Sequence, residues 1–298
     1  MRATAYLVLA ATLLLWSGNW IVARAVRNDI EPGIATASRI AIVILVLLPI
    51  AWRGLAPKLR ALSGRDWAVL GGLGLSGGGV HLAMQWLGLH YTTATNATLY
   101  LSTSPIFILL LASAFLGESI RPRQWAGVAV SLAGVALIAA HGDFRALASL
   151  SFNVGDLLAV GSMLMWSVYT ILLKKRRDDL SIVQLLLIVC CVGLISVLPW
   201  AAWDLAHEGR LRLTQAGLLA VLYSAFGSLL LAYAGWSYVV ARLGAARAGA
   251  TQHLMPAIAV LLSALFLGEY PVWYHFAGIA LILGGVGLAS TGAGERKT

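Results

Sequence analysis

Apolar runs of about twenty residues, separated by short gaps of charged residues, Gly, Pro or Asn, fill nearly the whole chain. About 20 predominantly apolar residues at about 1.5 Å each cross a hydrocarbon layer of about 30 Å as a helix. By that measure the pattern predicts helices over 4–24, 33–52, 67–89, 95–116, 123–141, 154–174, 181–203, 214–238, 247–267 and 272–291. The polar stretch HGDFRALASLSFN separates the fifth from the sixth. Every gap is too short for a soluble domain. The expected fold is an all-α membrane protein of ten transmembrane helices.

The chain also repeats itself. At an offset of 150, Trp16-Ser17 falls on Trp166-Ser167 and Pro49 on Pro199. At 151, Pro105 falls on Pro256, the FLGE of 115–118 on the FLGE of 266–269, and Gly127 and Gly134 on Gly278 and Gly285. Low complexity matches scattered Leu and Ala by chance, but it does not align Pro, an identical tetrapeptide and two glycines in one register. The predicted units are 1–147 and 148–298, five helices each. Five is odd, so the second unit enters the membrane upside down. Inverted repeats let secondary transporters form two mirror-related conformations from one packing.

Composition agrees with a lipid solvent: 60% of the residues are hydrophobic and 11% charged, against about 25% charged in soluble domains. The net charge of +9 does not point to nucleic acid, because Lys and Arg sit in the gaps as topology signals do. Alternate gaps hold 15 and 5 basic residues, with Arg39 inside the second segment. The positive-inside rule then puts both termini in the cytoplasm of a bacterial inner membrane. Arg2 and the first apolar run have the form of a signal peptide, but the repeat gives that run a partner within the chain. Cys190 and Cys191 are adjacent, which suits neither a structural disulfide nor a metal site. Trp52, Trp67, Trp125, Trp200, Trp203 and Trp273 fall near segment ends, as interfacial anchors do.

Polar and aromatic groups at mid-depth need a cavity or a partner. Trp16 and Asn19 share a face of the first segment, and their counterparts Trp166 and Tyr169 share one on the sixth. The third segment carries His81 and Gln85 after three glycines, with Tyr233 and Trp236 on the eighth. Such aromatic faces suit a ring or an ammonium. Tyr100 and the pair Gln252–His253 precede Pro105 and Pro256, each of which frees a carbonyl four residues back and bends its helix. The other reading of all these positions is bundle packing. Glu118 and Glu269 end the fourth and ninth segments, as helix caps or as mirror-related gate contacts. Arg39 lies about two turns inside its segment, within snorkelling reach of the outer surface, or else makes a gate or carboxylate contact. No Asp or Glu lies at mid-depth, so His81 and His253 are the buried candidates for proton coupling.

No P-loop, HExxH, Cys/His cluster or G-x-S-x-G elbow is present, so neither a cofactor, a metal nor catalysis is expected. Two five-helix halves, each with a P…FLGE…G…G block, resemble the drug/metabolite transporter superfamily and its EamA-type ten-helix exporters, over essentially the whole chain. Length and the aromatic and His positions are most similar to the YddG type of aromatic amino-acid exporter. The resemblance implies helices around a central cavity, with the fifth and tenth outside it, lined by Trp16, Asn19, His81, Gln85, Tyr100, Trp166, Tyr169, Tyr233 and Trp236. It further implies export of amino acids and similar amphipathic metabolites by alternating access. The expected partners are that small solute and lipid, with a monomer or a weak homo-oligomer. A multidrug cation exporter, which ordinarily holds a buried carboxylate, and a membrane-embedded enzyme are the competing readings.

Overall fold

The computed structural model describes residues 2–26, 29–91, 100, 102–143, 145, 153–207, 214–267 and 270–290, and among these it is helical with no β-strand. The first half holds α1 (Arg2–Ala25), α2 (Pro32–Ala51), the short α3 (Leu55–Ala61) and α4 (Gly64–Leu73). A π-helical stretch, Gly74–Val80, leads into α5 (His81–Tyr91), followed by α6 (Ser104–Leu116) and α7 (Pro122–Ala139). The second half holds α8 (Val154–Lys175), α9 (Ile182–His207) and α10 (Gln215–Tyr223). A second π-helical stretch, Ser224–Leu231, leads into α11 (Ala232–Leu243). Then follow α12 (Ala245–Ala250), a 3₁₀ turn at Thr251–His253, α13 (Leu254–Leu267) and α14 (Trp273–Ser290).

Local chemistry sets these boundaries. Ser63 accepts from the Asp66 amide at 3.2 Å and Asp66 accepts from the Ser63 amide at 2.9 Å, a capping box that starts α4. At the equivalent place in the second half, Thr214 accepts from the Gly217 amide at 2.9 Å and starts α10. Gly117 ends α6 at φ 64° and Gly244 separates α11 from α12 at φ 86°, backbone angles that cost little without a Cβ.

Among the described residues, six helical stretches are long and apolar enough to cross a membrane: Pro32–Ala51, Gly64–Gly88, Pro122–Ala139, Val154–Lys175, Ile182–His207 and Gln215–Leu243. Ala3–Asn19 within α1, the helix Ser104–Leu116 and Trp273–Ala289 within α14 are shorter apolar stretches. Their outer faces are apolar: Leu45 and its counterpart Ile195 are each 71% exposed, a surface suited to lipid. Trp52, Trp67, Trp125, Trp203 and Trp273 are exposed near helix ends, whereas Trp200 is half-buried and packs on Gly33.

Helices that correspond in the two halves pack antiparallel on each other. The N-terminal end of α2 meets the C-terminal end of α9, where the Gly33 amide donates to the buried Asp204 carboxylate at 2.8 Å. At the other end the Gln184 amide group of α9 reaches Ala51 O of α2 at 3.5 Å. Along α7 and α14, Gly127 lies on Gly285 and Gly134 on Gly278, so close that a Cβ at any of the four meets the opposing backbone within 2.8 Å. The glycines of the sequence repeat are thus the small-residue seam between these two helices. Helix α7 makes its main contact with α14, apart from the helices that enclose the centre.

The π-helical stretches are a second structural repeat. Gly74 and Ser224 begin them 150 residues apart, and Val80 and Leu231 end them 151 apart. In the first, the glycines admit close neighbours: a Cβ on Gly77 overlaps the Tyr169 ring, and one on Gly78 overlaps Val189 O of α9. Wide turns of this kind are frequent where a helix serves a functional site.

Candidate functional site

Both π-helical stretches supply a carbonyl to an aromatic side chain at the centre of the molecule. Tyr233 OH donates to Gly77 O at 2.8 Å and Trp16 Nε1 donates to Ser228 O at 3.2 Å. Gly77 and Ser228 are counterparts at the 151-residue offset. The two bonds hold their rings in one cluster. Trp166 is its hub, with ring centroids 4.9 Å from Trp16, 5.2 Å from Tyr233, 5.1 Å from Tyr169 and 5.6 Å from Trp236. The Trp16–Trp166 and Trp16–Tyr233 pairs meet edge to face at 86° and 88°, the geometry that the ring quadrupole favours.

A small cavity opens beside this cluster. Its walls are Trp16, Asn19, His81, Leu82, Gln85, Ser104, Met163, Trp166, Ser228, Tyr233, Gln252 and Met255. Six of the nine expected substrate-binding residues are therefore on it: Trp16, Asn19, His81, Gln85, Trp166 and Tyr233. Tyr169 and Trp236 stand one ring further back, fully buried, Tyr169 stacked on Trp166 at 29° and Trp236 bonded through Nε1 to Thr170 Oγ1 at 3.1 Å. Tyr100 is off the cavity, its hydroxyl hydrogen-bonded to Asp156 near the start of α8. The volume is about 40 Å³, and a water takes roughly 10–15 Å³ on that measure. In this conformation the rings themselves occupy the space an amino acid would need.

The polar groups of the wall come from six elements. Ser162 of α8 holds His81: Nδ1 lies 3.0 Å from Ser162 O and 2.8 Å from Ser162 Oγ, and that hydroxyl donates to His81 O at 3.0 Å. A carbonyl only accepts, so Nδ1 carries the proton, and in the neutral ring Nε2 is left as the acceptor. Asn19 Oδ1 accepts from Ser224 Oγ at 2.6 Å, which fixes the amide. Ser104 Oγ donates to Gln252 Oε1, joining α6 to the 3₁₀ turn before α13. No acidic residue lines the cavity, and no cluster that could hold a metal occurs among the described residues.

Other expected positions fall elsewhere. His253 is fully buried and faces away from the cavity, its two ring nitrogens without hydrogen-bond partners. One residue of a 3₁₀ turn rotates the side chain by about 120°, so Gln252 takes the cavity side. Pro105 is the second residue of α6 and Pro256 lies in the first turn of α13, each just after a break in its helix. Glu118 follows the end of α6 and is half-buried, and Glu269 lies outside the described residues. Arg39 does not snorkel. It is 1% exposed, because α5 and α9 cover its face of α2. Sequence reasoning also missed Ser104, Met163, Ser228 and Met255. Small polar and Met residues occur all along these helices, and only packing shows which ones face inward.

The model of the EamA-like transporter family matches residues 3–140 and again residues 153–291. The chain belongs to the EamA-like transporter family. Among its relatives, an uncharacterized transporter of Archaeoglobus fulgidus is 29% identical over 294 residues, covering 97% of this chain and 98% of that one. A probable terminal-alkyne amino-acid exporter of Streptantibioticus cattleyicolor is 28% identical over 234 residues, covering 78% and 73%. A probable amino-acid metabolite efflux pump of Salmonella typhimurium is 24% identical over 297 residues, covering 96% and 94%. A crystal structure with a TM-score of 0.77 and 23% identity covers 98% of both chains and has the same fold. This EamA-like protein is a multi-pass membrane transporter, with a probable terminal-alkyne amino-acid exporter and a probable amino-acid metabolite efflux pump among its relatives.

Proposed function

We propose that this transporter exports amino acids and similar small amphipathic metabolites, aromatic ones favoured, across the bacterial inner membrane by alternating access. The observation that carries the reading is the cavity itself. Trp16, Trp166 and Tyr233 offer ring faces and edges, while Asn19, His81 and Gln85 offer hydrogen bonds beside them. An aromatic amino acid has that pairing of ring and polar head, and two relatives are described as handling amino acids or their metabolites. A cation exporter would call for an acid at the wall, and none is there.

The alternating-access part rests on the internal symmetry. Ten membrane crossings in two inverted five-helix units agree with the antiparallel packing of α2 on α9 and α7 on α14. Two inverted units can exchange conformations and move the opening from one side to the other. The contracted cavity fits a state between those openings, and a solute entering it must displace Trp16 or Trp166. The solute and lipid are the partners in this reading, a monomer is sufficient, and neither a cofactor nor nucleic acid takes part. Both termini lie in the cytoplasm.

Flux in liposomes over a panel of labelled amino acids tests the substrate. Phenylalanine and tryptophan should move fastest, and a panel on which none moves above protein-free liposomes overturns the reading. Reporter fusions at Thr298 test the orientation. A periplasmic reporter active there would remove the inverted topology.

A further inference from the structure

Behind residues of the cavity wall, Arg39 Nε and Nη2 and Trp86 Nε1 are buried hydrogen-bond donors without an acceptor among the described residues. Arg39 is 1% exposed, and its Nε and Nη2 make no hydrogen bond. Its guanidinium lies over the Trp86 ring, 5.2 Å from the centroid. Trp86 is itself buried and its Nε1 also lacks an acceptor. Around that ring are Ile30, Ile34, Ala35 and Val221, all apolar. Ion pairs among the described residues, Lys58–Asp179 and Arg176–Asp178, lie elsewhere.

A guanidinium keeps its charge in a protein, so burial cannot neutralise it. An unpaired charge in a low-dielectric interior is the least favourable arrangement a side chain can have, and within a membrane such residues mark binding sites or pathways. The fold does not require this one. The counterpart of Arg39 in the second half is Val189, fully buried at the same place on α9, and the counterpart of Trp86 is Ser237. One repeat packs these positions without a cation, and the other holds a cation whose Nε and Nη2 find no acceptor among the described residues. The position also fits the solute. Arg39 is within electrostatic reach of His81 and Tyr233, both on the cavity wall, and Trp86 follows Gln85, which is on it too.

We propose that Arg39 and the Trp86 indole N–H form the site that takes the carboxylate of the transported solute. The inference rests on the export reading and deepens it, because it makes a negatively charged head group a requirement for recognition. The solute ring lies among Trp16, Trp166 and Tyr233, and its carboxylate lies toward α2, accepting from the guanidinium fork and from Trp86 Nε1. When occupied, the site pairs the buried charge.

The test uses purified full-length protein and two probes, phenylacetate and phenethylamine, which share a ring and differ in the sign of the head group. Equilibrium binding is measured for the wild type, Arg39→Gln, Arg39→Lys and Trp86→Phe. Arg39→Gln should weaken phenylacetate at least ten-fold and leave phenethylamine within two-fold. Arg39→Lys should fall between the two, since a point charge replaces the fork. Trp86→Phe keeps the π-face, removes one donor and should weaken phenylacetate about three-fold or more. Without ligand, Arg39→Gln should melt no lower than the wild type, because an unsatisfied buried charge is gone; a large fall would mean a structural Arg39 and overturn the proposal. Equal changes for both probes, or chloride stabilising the wild type as much as phenylacetate does, would also overturn it. Arg39-dependent phenylacetate binding without amino-acid flux would sink the export reading and support the anion site. Intact flux without that dependence would sink the anion site alone.

Discussion

Trp16 is the residue whose loss discriminates most sharply between a solute site and simple packing. Its ring meets Trp166, Trp236 and Tyr233 with centroids at 4.9, 5.4 and 6.2 Å, and its Nε1 bonds Ser228 O. An aromatic contact is worth about 0.5–1.5 kcal/mol beyond area burial. A solute ring that enters the cluster makes one or two such contacts with Trp16, so Trp16→Ala forfeits about 0.5–3 kcal/mol of solute stabilisation. At about 1.4 kcal/mol per decade that is a fall of roughly two-fold to more than a hundred-fold in flux at low solute concentration. Trp16→Phe keeps the ring and forfeits the bond to Ser228 O, about 1 kcal/mol, and should lose less than ten-fold. Counterflow of labelled phenylalanine and tryptophan into liposomes, normalised to folded protein by size-exclusion, reads the order wild type, Phe, Ala. Near-normal flux from Trp16→Ala would remove Trp16 from the site. A Phe variant as poor as the Ala variant would show that the ring is not what matters.

Ser162→Ala removes the hydroxyl that holds His81 Nδ1 at 2.8 Å and leaves the carbonyl, so flux should fall by a factor of about 2–5, for about 0.5–1 kcal/mol of lost orientation; unchanged flux would remove His81 from the site. Gly78→Ala places a Cβ against Val189 O, where the backbone of α9 cannot move aside easily. Overpacking of that kind costs about 1–3 kcal/mol, and the melting temperature of the detergent-solubilised protein should drop by several degrees, whereas an unchanged melt would contradict the close π-turn contact. A protonophore should leave net flux down the solute's own gradient intact, since no carboxylate lines the cavity; strict loss of flux would direct attention first to His81 and then to His253.

Much of the molecule follows from sequence alone, because a bilayer makes secondary structure nearly a matter of hydrophobic length. Runs of twenty apolar residues must be helices, and the offset of 150 residues at Trp16-Ser17 and 151 at the FLGE blocks marks two related units. The 151-residue offset relates Gly77 to Ser228, whose carbonyls hold the aromatic cluster. Trp16, Asn19, His81, Gln85, Trp166 and Tyr233 were legible as one group because mid-depth polar and aromatic residues need an inward face. Periodicity did not reveal which member of a pair faces in. The helix break before α13 turns Gln252 rather than His253 toward the cavity, and a break in regular geometry resets the face. Nor did it reveal the π-helical stretches, in the first of which Tyr169 and Val189 pack over the glycines. Arg39 shows the limit most plainly. Its depth along α2 permitted a snorkelling side chain, and only the packing of α5 and α9 over that face of the helix made it a buried cation without a counter-ion among the described residues.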